Sequence, residues 1–195
     1  MYKASVIIPY FKKKFFFKKT VQSILSQTYK NYEVLIIYDD EDKTDLYFIK
    51  KLIKKDKRFK LIINKRNLGA GESRNKGIKM AKGKYICFID ADDIWHKDKL
   101  KSQINFMINK KALFSHCSYK IINNNNKVIG FRIAKNYDNF FELSKSCDIG
   151  LSSVIIEKNI LKNNLKFPKI KTKEDFVLWL KILKNGIKIF AFKRK

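Results

Sequence analysis

Four short apolar runs, Ser5-Val6-Ile7-Ile8, Val34-Leu35-Ile36-Ile37, Leu61-Ile62-Ile63 and Tyr85-Ile86-Cys87-Phe88-Ile89, constrain this chain more than any other feature. None alternates apolar with polar, so each predicts a strand buried on both faces. Between them lie segments of helical period. Lys18 to Gln27 sets Val21, Ile24 and Leu25 on one face, Asp45 to Lys54 does the same with Leu46, Ile49, Leu52 and Ile53, and Glu72 to Ala81 follows a glycine-rich entry. Strand and helix in alternation predict βα units around a mostly parallel sheet, an α/β fold.

Beyond residue 93 the pattern loosens. It predicts a helix from about Lys97 to Asn109, then strands at Leu113 to Ile122 and Lys127 to Ile133 paired around Asn123-Asn124-Asn125-Asn126. A strand at Leu151 to Ile156 follows. The last helix, Glu174 to about Lys184, places Phe176, Leu180 and Leu183 on one face, with Thr172 as a cap and Gly186 as a stop, before a strand at Ile187 to Phe192. The 195 residues suffice for one substantial core, and with 7 Gly, 2 Pro and no internal repeat there is little material for linkers. A single domain over 1–195 is expected.

The formal charge of +26 attracts nucleic acid, anionic headgroups and phosphorylated small molecules alike, and does not choose among them. The lysine runs are interleaved with Ile, Phe and Asn along the whole chain, as compositional bias and solvated faces would produce. Cys87, Cys117 and Cys147 are odd in number and lack metal or disulfide spacing, so they read as reduced thiols. The run Ala4 to Phe11 is broken by Pro9 and has no cleavage-site pattern, and no run approaches the roughly 18 apolar residues of a membrane span. A cytoplasmic protein is expected, soluble or peripheral at the inner face of the membrane.

With 18 acids against 44 bases, the places where acids crowd are informative. Asp39-Asp40-Glu41-Asp42 closes the second strand, Asp90-Ala91-Asp92-Asp93 the fourth, and Glu174-Asp175 opens the last helix. Crowded carboxylates need cations or donors to stay ionised. The first two clusters fall where open α/β sheets bind ligands, at the carboxyl ends of strands. If strand geometry continued, Asp90 and Asp92 would project to one side and offer oxygen ligands to Mg2+ or Mn2+; turn capping is the competing reading. Asn67-Leu68-Gly69-Ala70-Gly71, leading to Arg74 and Lys76, offers backbone amides and cations to an anion but matches neither the Walker loop nor the dinucleotide fingerprint. Glu174-Asp175 fits either a capping box with Thr172 or a general base on a rigid helix.

Five ordered segments together resemble the family 2 glycosyltransferases from about Ala4 to Gly186. They are Ser5-Val6-Ile7-Ile8-Pro9-Tyr10 with the helix Val21 to Thr28; Tyr32 to Asp40; Asn67 to Gly77; Asp90-Ala91-Asp92-Asp93-Ile94-Trp95; and Glu174-Asp175-Phe176 with Trp179. The resemblance implies a GT-A fold with a nucleotide-binding part at about 1–95 and an acceptor-side part at about 96–195. It implies a nucleotide-sugar donor, UDP-sugar by expectation, a glycan or lipid-linked acceptor, Mn2+ or Mg2+, and inversion at the anomeric carbon. Pro9, Tyr10, Asp39, Asp40, Gly69, Arg74, Asp90, Ala91 and Asp92 would bind the nucleotide sugar, Asp92 the metal, and Asp175 would act as base. Trp95 and Glu174 would face the acceptor, and Asp93 would shape the turn. Glu41-Asp42 replaces the family's usual Gly-Ser, and the processive members' Gln-x-x-Arg-Trp segment is missing, which points to single additions. The rival readings are a degenerate nucleotide-sugar binder, a metal-dependent phosphotransferase of the dehalogenase type, whose Asp-x-Asp follows the first strand rather than the fourth, and a nucleic-acid-binding protein, for which no recognition motif is present.

Overall fold

Strands β1 (Ala4–Tyr10) and β2 (Tyr32–Tyr38) pair in parallel from Ala4/Tyr32 to Tyr10/Tyr38 in the computed structural model, which describes residues 3–146, 148–161 and 165–193. Every residue of β2, and all of β1 but the half-buried Pro9, is buried, as expected of runs apolar on both faces. Helix α1 (Lys14–Leu25) connects them, α2 (Leu46–Ile53) leads to β3 (Phe59–Ile63), and α3 (Ala70–Met80) leads to β4 (Tyr85–Phe88). β1 to β4 run parallel in the order β3-β2-β1-β4. β3 departs from the expectation: it is an edge strand on which only Phe59 is buried, because a single neighbouring strand leaves its other side chains in partial contact with water.

Alternate side chains go to opposite faces of the sheet. Val6, Ile8, Val34 and Ile36 pack with Phe17, Val21 and Ile24 of α1 and with Leu100, Ile104 and Met107 of α4 (Lys99–Lys110). Ile7, Leu35, Ile37, Ile86 and Phe88 pack on the other side with Ile78 of α3 and Leu178, Trp179 and Ile182 of α6 (Glu174–Lys184). Helix α1 starts earlier than predicted, since Phe17 is buried edge-on against Tyr10, with ring centres 4.8 Å apart.

The second half extends the sheet beyond β4 by β8 (Ile155–Glu157), β5 (Phe114–Cys117) and β9 (Phe190–Phe192), in that order. The predicted long strand 113–122 is broken: β5 (Phe114–Cys117) enters the main sheet, while β6 (Tyr119–Ile122) forms a separate ribbon with β7 (Val128–Arg132). Their turn is built by Asn123, whose Oδ1 accepts from the amides of Asn125 and Lys127, each at 3.0 Å. The predicted strand 151–156 is a 3-10 turn, Leu151–Ser153, followed by β8 (Ile155–Glu157), which lies antiparallel between β4 and β5. Helix α5 (Phe140–Ser144) was not expected, although Asn139-x-x-Glu142 carries its reciprocal cap. β9 is shorter than predicted, Phe190–Phe192, and runs parallel to β5. Cys87 and Cys117 are free thiols, and Cys147 lies outside the described residues.

Candidate functional site

The connection after β1 crosses to β2, whereas β4 lies on the opposite side of β1, so the sheet's topological switch falls between β1 and β4. A crevice opens at the carboxyl ends of neighbouring parallel strands at such a point. Here it has a volume of about 420 Å3, and its lining includes Pro9, Tyr10, Asp39, Gly69, Arg74, Asp90, Ala91 and Asp92. Eight of the nine residues expected to hold the nucleotide sugar are thus brought together.

The ninth, Asp40, is buried but accepts the amide of Asp42 within its own loop at 3.2 Å. Asp39 organises the crevice wall. Its Oδ1 accepts from the Asn64 side chain at 2.7 Å and the Leu68 amide at 2.8 Å, and its carbonyl accepts from Asn67 at 3.0 Å. Asn64 also donates to Ser73 Oγ, which ties the loop to the start of α3. At the head of that helix Gly69 adopts φ +84°, a backbone region that favours glycine.

Strand geometry ends at Phe88, and Asp90 to Asp93 form a turn closed by the Asp93 amide donating to the Asp90 carbonyl at 3.1 Å. Asp90 and Asp92 therefore do not project as strand neighbours; each takes its own cation. Asp90 accepts from Arg74 at 2.8 Å, and Asp92 pairs with Lys13 at 2.7 Å. The Asp90 amide donates to Ser152 Oγ, whose hydroxyl in turn donates to Asp93. Packing of the turn pushes the Asp93 carboxyl up to about 6, with Asp90 and Asp92 adding to the rise and Ser152 drawing it back, although the residue keeps an exposed edge.

Arg74 joins the parts. Its guanidinium donates to Glu174 Oε1 at 2.5 Å as well as to Asp90, and it lies 5.5 Å from the Phe167 ring centre. Glu174 is consequently a partner of Arg74. Trp95, also expected on the acceptor side, is turned into the core with its Nε1 donating to the Ser152 carbonyl at 2.8 Å.

The capping-box alternative at α6 does not form: Lys173, with φ +61°, occupies the cap position and makes no side-chain cap bond, while Asp175 Oδ1 accepts the Phe176 amide at 2.8 Å. The buried stripe of α6 is also rotated from the predicted one, running through Leu178, Trp179 and Ile182. Asp175 is three, four and seven residues before these, so it heads the inward stripe. Burial accordingly raises its pKa, reinforced by Glu174 and Asp90, while the Phe176 amide and Arg74 pull it back. This places Asp175 within electrostatic range of the crevice acids. Sequence reasoning missed Lys13, Asn64, Ser73 and Ser152, which carry no local signal because their partners are remote in the chain.

Among the described residues no group of three or more His, Cys, Asp or Glu side chains could hold a metal ion unaided. The donor set is two carboxylates, Asp90 and Asp92, with side chains 38% and 36% exposed. Hard oxygen ligands of that number fit Mg2+ or Mn2+ shared with substrate phosphates.

A crevice edged by carboxylates, backbone amides and a buried arginine at the carboxyl end of a parallel sheet fits a glycosyltransferase, and the sequence shows the chain to be of that class. The profile of glycosyl transferase family 2 matches residues 5–165, and the chain belongs to that family. The Escherichia coli protein WfgD, a UDP-Glc:alpha-D-GlcNAc-diphosphoundecaprenol beta-1,3-glucosyltransferase, is 38% identical over 185 residues, 95% of this chain and 71% of that protein. The crystal structure of S. aureus TarS 1-349 with UDP superposes with a TM-score of 0.80 at 22% identity, over 99% of this chain. The Pyrobaculum calidifontis mannosyltransferase PcManGT, solved with GDP-Man and Mn2+, gives 0.77 at 15% identity over 98% of this chain. These neighbours place the chain in the GT-A fold, and it spans 58% and 55% of their respective lengths.

Proposed function

We propose that this chain transfers a sugar from a UDP-sugar to a hydroxyl of a lipid-linked or glycan acceptor, with inversion, in the synthesis of a bacterial surface polysaccharide or lipopolysaccharide. The observation that carries the reading is the convergence of Asp39, Gly69, Arg74, Asp90 and Asp92 on one crevice, with the half-buried Asp175 of another helix within electrostatic range of Arg74 and Asp90. The UDP-glucose donor and undecaprenol-linked acceptor in the WfgD name support the substrate classes. The chain works as one GT-A unit, with residues 1–95 holding the nucleotide and 96–195 meeting the acceptor. It acts at the cytoplasmic face of the membrane; no helix among the described residues is long and apolar enough to cross one.

Pro9, Tyr10 and Asp39 shape the base side of the crevice, and the amides at the head of α3 face the phosphates. Asp175 accepts the proton of the acceptor hydroxyl, whose oxygen attacks the anomeric carbon as the bond to the diphosphate breaks and UDP departs. Mn2+ or Mg2+, held by Asp92 with Asp90 beside it, would offset charge on the leaving diphosphate.

Donor hydrolysis and transfer with UDP-sugars in Mn2+ test this. Asp92→Ala should abolish metal-dependent turnover; unchanged donor binding and rate would sink the metal assignment. Asp175→Asn should keep UDP affinity while transfer falls roughly 10²–10⁴-fold. A variant that fails to fold would instead assign Asp175 to starting the helix.

A further inference from the structure

The ribbon β6–β7 stands outside the main sheet and borders a second crevice that reaches Asp92, lined by Phe16, Lys19, Ile94, Tyr119, Ile121 and Ser152 among others. Its two strands differ in character. Tyr119 and Ile121 of β6 are half-buried against the protein, whereas β7 and the residue after it present Ile129, Phe131 and Ile133 at 64%, 59% and 64% exposure. These three alternate along the chain and therefore share one face. A surface ribbon ordinarily turns such side chains inward.

Along the ribbon itself the charge has one sign. Residues 119–136 contain Lys120, Lys127, Arg132 and Lys135 and no Asp or Glu. Lys120 lies directly across from Phe131, with its ammonium 6.0 Å from the ring centre. A second copy of the chain on this face would bring like charges together, which opposes pairing. Apolar tips ringed by cations match instead the boundary between acyl chains and anionic headgroups.

We propose that the exposed face of β7 docks on the surface of an anionic phospholipid bilayer. Ile129, Phe131 and Ile133 enter the acyl boundary, and Lys120, registered with Phe131 on the same face, meets the lipid phosphates together with Lys127 and Lys135. The orientation rests on the proposed function in one respect: it would bring a lipid-linked acceptor to the crevice at Asp92 along β6.

Co-sedimentation of the full chain with phosphatidylcholine vesicles, with and without phosphatidylglycerol, at physiological ionic strength tests this, with UDP binding measured in parallel. The wild type should partition onto the phosphatidylglycerol vesicles only. The combined change Ile129→Ser, Phe131→Ser and Ile133→Ser should weaken that partition at least roughly tenfold. Lys120→Glu with Lys127→Glu, which leaves the apolar side chains in place, should do the same, and UDP affinity should stay unchanged in both. The docking is refuted if the wild type stays in solution, if both variants sediment like it, or if the serine variant merely converts a dimer to a monomer. Vesicle binding without any UDP affinity would refute the transferase reading and leave the docking face standing.

Discussion

Replacing Arg74 with methionine keeps most of the aliphatic stem and removes the guanidinium that links α3, the turn after β4 and α6. The arginine side chain is 6% exposed and that of Glu174 12%, so Glu174 would be left as a buried charge without its partner. Breaking a buried pair in this way costs about 3–5 kcal/mol. Asp90, at 38% exposure, can rehydrate, and its share is discounted to under about 1 kcal/mol. A net loss of about 3 kcal/mol in a chain of this size lowers Tm by roughly 6–12 °C. Thermal unfolding of the wild type, Arg74→Met, Glu174→Gln and the double variant gives the coupling directly. The double variant should recover about 2 kcal/mol of the sum of the single losses, because Gln tolerates the missing cation. If Arg74→Met melted within about 2 °C of the wild type, the ion pairs would contribute nothing to the fold, and the reasoning from burial would be wrong.

Gly83→Ala should destabilise by about 2 kcal/mol or more, since an added Cβ would stand 2.5 Å from the Ala4 carbonyl carbon and 2.7 Å from the Ser5 nitrogen, both backbone. Gly77→Ala should also destabilise, because the added Cβ would stand 2.5 Å from Cγ2 of Ile7, a stiff β-branched side chain that is fully buried; denaturant midpoints would measure both. His116 is buried, its Nε2 donates to the Lys135 carbonyl at 2.8 Å, and burial lowers its pKa. It stays neutral in the fold while the unfolded chain takes up a proton near pH 6.5, so stability present above about 6.5 is lost as pH falls towards its folded value. His116→Gln should flatten that slope in urea titrations between about pH 7 and pH 5.

How much of this was legible beforehand depended on how far apart the partners lie. Runs such as Val34 to Ile37 declared their burial, because a strand apolar on both faces has only one stable place. Asn123 to Asn126 declared their turn through bonds two and four residues long. The crowding of Asp39, Asp90 and Asp92 at strand ends pointed to the crevice, since parallel strands deliver their carboxyl ends to one edge. The strand ending at Ile156 was legible, but the direction of β8 was beyond reach, because it is set by β4 and β5 rather than by its own side chains.

By itself, then, the sequence determined the βα repeat, the strands at the centre of the sheet and the set of acids at its carboxyl edge, all consequences of local pattern. Only the tertiary structure decided which partner each acid takes. Asp92 faces Lys13, Asp40 turns to its own loop, Asp39 holds Asn64 and Leu68, and Arg74 reaches Glu174 across 100 residues of chain. The packing of Leu178, Trp179 and Ile182 turns the Asp175 side of its helix inward and desolvates the carboxyl, which also accepts the Phe176 amide. Periodicity measures where apolar surface can go. The charge of a carboxylate is governed by the neighbours that packing delivers, and those come from everywhere in the chain.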